Sequence, residues 1–327
     1  MRVTNNMLVG NLLYNLNQNL GRLDKINEQI SSKKKFSVPS DDPIGASKSL
    51  KLRTDISKIQ QYKRNAEDAE SWMRETESAL IEIGSVLHRA NELAVQMANE
   101  TYSDEDLEKV KAEVEQLKKH LIEIGNTTYA GRHIFTGYKT DKKLLNEEGK
   151  YEVELKMKDE DKDKDNKKEV FEYNVGVSES VKVNTLGGRV FGIAKYEDNE
   201  LKDPDFENNV TGGEKSYLIA VFDQFEKALE DPKNNDGEID KTIGRIQNCM
   251  DQTLSVRAEV GAKMRRLELT KDKLDSQVLS TTELLSKNED TDLAKASILL
   301  KSEENIYRAS LAVGMNIIQP SLVDFLR

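Results

Sequence analysis

Between Leu52 and Met97, apolar residues recur at steps of three and four with almost no fault: Leu52, Ile56, Ile59, Tyr62, Ala66, Ala69, Met73, Thr76, Leu80, Ile83, Leu87, Ala90, Ala94 and Met97. That spacing predicts one amphipathic helix. If unbroken to Met97, the helix is about 80 Å long at 1.5 Å per residue. A stripe of that length cannot be covered by a compact core and needs an equally long partner. Ile239, Ile243, Ile246 and Met250 open such a seam, which continues through Val260, Met264, Leu267, Leu274, Val278 and Leu285. Arg257 and Lys271 occupy seam positions, so the pairing there is looser or their stems carry the charge past it. Trp72, beside the first stripe, reads as packing. The first rod starts at Ser40-Asp41-Asp42-Pro43, with Asp42 as N-cap and Pro43 at the first helical position.

Both chain ends carry narrower seams. Val9, Leu13, Leu16, Leu20, Leu23, Asn27 and Ile30 alternate steps of four and three, the a/d pattern of a coiled coil. Leu293, Ala296, Leu300, Tyr307, Leu311, Gly314, Ile318, Leu322 and Phe325 mark a final helix, with Pro320 predicting a kink near Gln319. Neither seam can bury itself, so each end is predicted to take the other as partner, with neighbouring subunits covering what that leaves open. Asn27 would then fix register at some cost in stability. Low aromatic content and narrow seams predict ends, up to Pro39 and beyond Asp290, that are mobile in the free monomer and helical in an assembly. Two joints separate ends from rods. Ser31 to Pro39 reads as an extended connector in which Lys33-Lys34-Lys35 is a solvated loop, and Ser286 to Asp292 is a polar break.

Ser103 and Asp106 resemble a capping box opening a second helix through Leu107, Val110, Val114, Leu117, Leu121 and Ile124. This makes an antiparallel helical hairpin with the first rod. The pattern then changes. Tyr151, Val153, Leu155 and Met157 alternate with charged residues, as do Phe171, Tyr173, Val175 and Val177, which predicts two half-buried strands. The charged run 159–168 reads as the hairpin loop between them, Val181 and Val183 extend the β signal, and 196–209 reads as irregular. Helical spacing returns at Leu218, Val221, Phe222, Phe225 and Leu229. The predicted fold is mainly α with a β-rich insert: an elongated antiparallel helical bundle or coiled coil built from both chain termini, plus a small β domain.

Composition fits this layout. Charged residues make up 33% of the chain, hydrophobic ones 37% and aromatics 6%, a balance suited to long helices. A net charge of -10 argues against nucleic acid as a partner. No apolar run reaches membrane-spanning length, which predicts no membrane insertion. The Asn-interrupted start lacks a cleaved secretory signal pattern. Cys249, the single cysteine, excludes an internal disulfide and reads as a small buried thiol. His88, His120 and His133 sit on separate elements without metal-ligand spacing. Asp161, Asp163, Asp165, Glu169 and Glu172 match the carboxylate positions of a calcium loop. However, Asn166 replaces its glycine and Glu172 belongs to a predicted strand, so a charged hairpin tip is the better account. No phosphate-cradling glycine loop or nucleophile-base set is present. The expectation is no enzyme, no cofactor and no metal.

Several motifs resemble the flagellin superfamily and, within it, the hook-associated protein 3 family. They are the Leu20–Ile30 segment, Pro39-Ser40-Asp41-Asp42-Pro43, Gly131-Arg132-His133-Ile134-Phe135-Thr136-Gly137 and Ile317-Ile318-Gln319-Pro320-Ser321-Leu322-Val323-Asp324-Phe325-Leu326. The Asp-Asp step is shared with flagellins, whereas the glycine-arginine segment and the proline-containing ending favour the junction branch. His133 stands where an aromatic residue is expected. The resemblance implies three domains: 1–39 with 291–327 as a terminal coiled coil lining an inner tube, 40–140 with 215–290 as the rod, and 141–214 as a variable outer domain. It also implies a structural adaptor, a homo-oligomeric ring joining the hook to the filament. Its partners would be hook-associated protein 1, flagellin and a flagellar export chaperone, and its place the extracellular flagellum. The alternative is a flagellin-type self-polymerising filament subunit. The candidate assembly residues are Val9, Leu13, Leu16, Leu20, Leu23, Asn27, Ile30, Leu300, Tyr307, Leu311, Ile318, Leu322 and Phe325, with Pro39, Asp42 and Pro43 as hinge and cap.

Overall fold

The computed structural model describes residues 5–99, 104–158, 169–197, 200–230 and 237–323. Four long helices dominate: α1 (Asn5–Ser32), α2 (Pro43–Asn99), α6 (Glu238–Glu289) and α7 (Leu293–Val323). Between α2 and α6 lie α3 (Asp104–Gly125), the strands β1 (Thr128–Tyr129), β2 (Arg132–His133), β3 (Glu172–Asn174) and β4 (Ser180–Lys182), the turn of helix α4 (Gly188–Phe191), β5 (Tyr196–Glu197), β6 (Glu200–Leu201) and α5 (Tyr217–Glu230). The fold is therefore mainly α, with long helices from both chain ends and a few short antiparallel strands. The chain divides into two compact units, 1–60 with 275–327 and 61–274, and α2 and α6 contribute to both.

In the larger unit the predicted seams hold the core. Ala66, Ala69, Met73, Leu80, Ile83, Leu87, Ala90 and Ala94 of α2 are buried, as are Ile246, Val260 and Leu267 of α6. The two cationic seam residues of α6 find carboxylates on α2. Lys271 donates to Glu70 at 2.8 Å, and Arg257 lies 3.9 Å from Glu77. Lys271 is the main cause of the Glu70 carboxyl lying below the usual range. Trp72 is a packing residue here, meeting Tyr129 and Phe171 edge-on. Antiparallel to α3 runs α5, whose Asp223 and Glu226 both accept from Lys118.

The β region is less regular than the alternation predicted. Tyr151, Val153, Leu155 and Met157 are buried in strict alternation, as the pattern predicts. Their partner differs from the predicted one. Leu155 bridges Val210, and Tyr151 donates to the Glu214 carbonyl, so this strand-like run pairs with the end of the insert. Glu172–Asn174 instead pairs with Ser180–Lys182, a hairpin that leaves Val177 exposed at its tip. The reason is local: a five-residue turn closes β3 on β4 at small entropic cost, and the alternation of 151–157 specifies a face but not a neighbour. The segment expected to be irregular contains the short β5–β6 pair, followed by a turn in which Asp205 accepts from the amides of Glu207 and Asn208. Ala130 and Gly131 both adopt positive φ between β1 and β2, the geometry of a tight two-residue hairpin turn. His133 anchors there, its Nδ1 2.8 Å from the Asn126 carbonyl oxygen.

Candidate assembly interface

The smaller unit brings the two chain ends together. Along α1, the residues turned towards α7 are Val9, Leu12, Leu16, Asn19, Leu23, Ile26 and Ile30. Along α7 they are Ala296, Leu300, Glu303, Tyr307, Ser310 and Gly314. Both sets alternate steps of three and four, so each is a coiled-coil seam. The α1 set is not the one predicted. Val9, Leu16, Leu23 and Ile30 are common to both, but Leu12, Asn19 and Ile26 replace Leu13, Leu20 and Asn27. Leu13 and Leu20 are 56% and 50% exposed, and Asn27 is exposed, which corrects its assignment as the seam amide. The same one-residue offset occurs across the pair, where Ser310 lies in the seam and Leu311 outside it.

The physical reason lies in what α7 presents. Asn19 is only 6% exposed, and its Nδ2 donates to Ser310 Oγ at 3.2 Å. Arg22 donates to Asn19 Oδ1 at 2.6 Å, and the Ser310 hydroxyl donates to the Ile306 carbonyl at 2.8 Å. A turn further along, Gly314 leaves a notch for Leu12: a Cβ there would lie 2.8 Å from Leu12 Cδ2. Hydrophobic burial does not decide between the seams, because at the three positions where they differ each places two large apolar residues and one asparagine. Full burial of a leucine is worth about 1.5–3 kcal/mol, so Leu12 with Ile26 and Leu13 with Leu20 come out even. A net hydrogen bond of about 1 kcal/mol, and the cost of stranding a buried amide, then decide. Glu303 also lies in the seam, with its Oε2 enclosed and lacking a hydrogen-bond partner.

At the base of this pair the two joints are clipped together. Lys33, at φ 58, presents its carbonyl to the Thr291 amide, and the Lys35 amide donates to the Glu289 carbonyl at 2.7 Å. Lys34 Nζ and Arg53 Nη2 both reach Glu289 Oε1 at 2.5 Å, on a carboxylate only 7% exposed. Arg53 first, and then Lys34, hold that carboxyl below its ordinary range. The lysine run is thus a clip rather than a solvated loop, because a buried acid from the other joint lies within its reach. Asn288 donates to the Gly45 carbonyl and to Ser49 Oγ. Asp42 Oδ1 accepts the Gly45 amide at 2.9 Å at the start of α2. Gly45 makes room for this cap, since a Cβ there would press on both the Asp42 carboxylate and the Phe36 ring. Pro39 lines a cavity of about 250 Å3 with Phe36, Val38, Ala46 and Leu50.

Each helix also carries an apolar stripe outside the seam: Leu13 and Leu20 on α1, and Leu299, Ile306 and Val313 on α7, all exposed. Of the predicted assembly residues, Val9, Leu16, Leu23, Ile30, Leu300 and Tyr307 are half-buried in the α1–α7 contact, whereas Leu13, Leu20, Asn27 and Leu311 face away from it. Ile318 and Leu322 belong to the α7 backbone, but their side chains, like Phe325 as a whole, lie outside the described residues. Sequence reasoning missed Asn19, Ser310 and Glu289; the one available signal was that 9/12/16/19/23/26/30 fits the heptad spacing as well as the chosen series does.

Among the described residues no group of three His, Cys, Asp or Glu side chains could hold a metal ion. The calcium-loop candidates Asp161, Asp163 and Asp165 lie outside the described residues, as does the capping serine Ser103; Glu169 is buried and Glu172 pairs in β3. Burial pushes the Cys249 thiol up to about 12. No described helix is long and apolar enough to cross a membrane.

Long helices from both chain ends close on each other and carry a short-stranded insert, and residues 3–140 match the bacterial flagellin N-terminal helical region. The chain is similar to flagellar hook-associated protein 3 of Escherichia coli K12, at 27% identity over 297 residues that cover 89% of each chain. The flagellin of Bacillus subtilis 168 is 27% identical over 319 residues, covering 96% of this chain and 95% of its own. A solved flagellar hook-associated protein from Vibrio parahaemolyticus shares the fold, with a TM-score of 0.62, 20% identity, and coverage of 76% of this chain and 100% of that one.

Proposed function

We propose that this chain is a structural adaptor of the bacterial flagellum, a ring-forming subunit at the junction between hook and filament. The observation that carries the reading is the end-to-end likeness to hook-associated protein 3, joined to a terminal helix pair with apolar stripes left over on both helices. A two-helix seam alone leaves Leu13, Leu20, Leu299, Ile306 and Val313 in water. Stripes of this kind are satisfied when further helices pack alongside, as they do between subunits of a ring. In this reading the neighbouring subunits supply those helices, hook-associated protein 1 lies on one side and flagellin on the other, and a flagellar export chaperone escorts the chain to the outside. The protein performs no catalysis; its work is mechanical continuity.

A filament subunit is the second reading, favoured by the near-complete coverage of the Bacillus subtilis flagellin. Electron microscopy separates the two. Purified protein is incubated alone, and in parallel with hook ends capped by hook-associated protein 1. The adaptor reading expects short caps on the hook ends and no polymer from protein alone; long filaments from protein alone would sink it.

A further inference from the structure

The α1 helix carries two overlapping seams that share Val9, Leu16, Leu23 and Ile30, so a rotation of roughly 50°, half of one residue step, exchanges one for the other. Beyond these shared residues each seam adds two large apolar residues and one asparagine, which removes hydrophobicity as the selector. The difference is where the asparagine falls. Asn19 faces a hydroxyl on α7 and is held on its other side by Arg22, whereas Asn27 faces outward. We infer that the Asn19–Ser310 contact, steadied by Arg22, is a rotational selector: it sets which face of α1 meets α7 and thereby turns Leu13 and Leu20, and on the opposite helix Leu311, outward. The Leu12–Gly314 notch accommodates the same rotation, with Leu12 lying over the residue without a side chain.

Only the use of the outward leucines rests on the assembly reading above; the choice of face is a property of the unassembled chain, so the test is made on dilute monomer. Single cysteines are introduced as Leu12→Cys or Leu13→Cys, and their alkylation rates are compared. Cys249 stays silent in the folded chain because it is buried with its thiol pushed up to about 12, and its own rate, measured in the parent protein, is subtracted from the denatured references. With Asn19 and Ser310 intact, the reporter at position 13 should react roughly tenfold faster than the one at 12, as exposure governs thiol access. Ser310→Ala strands the Asn19 amide, and the ratio should fall to one-to-one or invert while the position-12 reporter stays slower than in denaturant. Ser310→Thr keeps the hydroxyl and should keep the original ratio. Asn19→Leu combined with Ser310→Ala makes the observed seam wholly apolar there, and should restore that ratio. An unchanged ratio in Ser310→Ala, failure of the double variant to restore it, or both reporters reacting at their denatured rates would each overturn the inference. The last result would mean that the contact merely holds the helices together.

Discussion

Removing the Glu289 side chain tests whether the joint is a clip or an incidental crossing. One carboxylate oxygen receives Arg53 and Lys34, and the residue is almost enclosed. A hydrogen bond to a charged group contributes about 1.5–3 kcal/mol. The two cations are 53% and 42% exposed, so both recover water when released. That discount brings the pair to about 2 kcal/mol in total. Glu289→Ala leaves the backbone bonds of the clip in place but makes them easier to open. Local opening should therefore rise by roughly thirtyfold at neutral pH. The assay is amide exchange at Lys35 and Thr291, whose N–H groups are bonded to the Glu289 and Lys33 carbonyls. Arg53 and Lys34 lower the Glu289 pKa in the folded chain, so its contribution is complete above the ordinary carboxylate range. It is lost as pH falls below about 4 and through the folded value, and the gap between parent and variant should close there. Unchanged exchange at pH 7, or a gap of the same size at pH 3, would refute the reasoning.

Further outcomes follow from packing. Gly314→Leu should loosen the α1–α7 pair by about 1–3 kcal/mol through overpacking against Leu12, read as faster exchange of amides in both helices but not of those in α3 or α5. Gly149 sits at φ +74 with Ile219 against the position its Cβ would take. Gly149→Ala should therefore destabilise the 61–274 unit by about 1–3 kcal/mol, read as a lowered melting transition. For Glu70 and Lys271, 21% and 29% exposed, a double-mutant cycle with Glu70→Gln and Lys271→Met should return a coupling of roughly 1 kcal/mol in urea unfolding. The half-buried α1–α7 seam should exchange faster in dilute monomer than the fully buried α2 and α6 amides around Met73 and Leu267. Equal protection would remove the case for ends that firm up on assembly.

What could be read from the sequence was everything that depends on period alone. The 3.6-residue repeat marks where helices run, and it placed the stripe of α2 from Ala66 to Ala94, the return through Ile246 and Leu267, and the two end helices that close on each other. The period-2 run from Tyr151 to Met157 likewise assigned faces. Tertiary structure decided every question that period leaves degenerate. The α1 pattern satisfies two seams one residue apart, and the choice falls to Ser310 and Gly314, nearly the whole chain away. Lys34 looked like a solvated charge because its partner, Glu289, belongs to the other joint. The alternation of 151–157 named no neighbour, and its bridge to Val210 comes from the far end of the insert. Helix existence is a local property of spacing, whereas a seam, a clip and a bridge are contacts between distant segments, and only folding shows which of the allowed faces has something to meet.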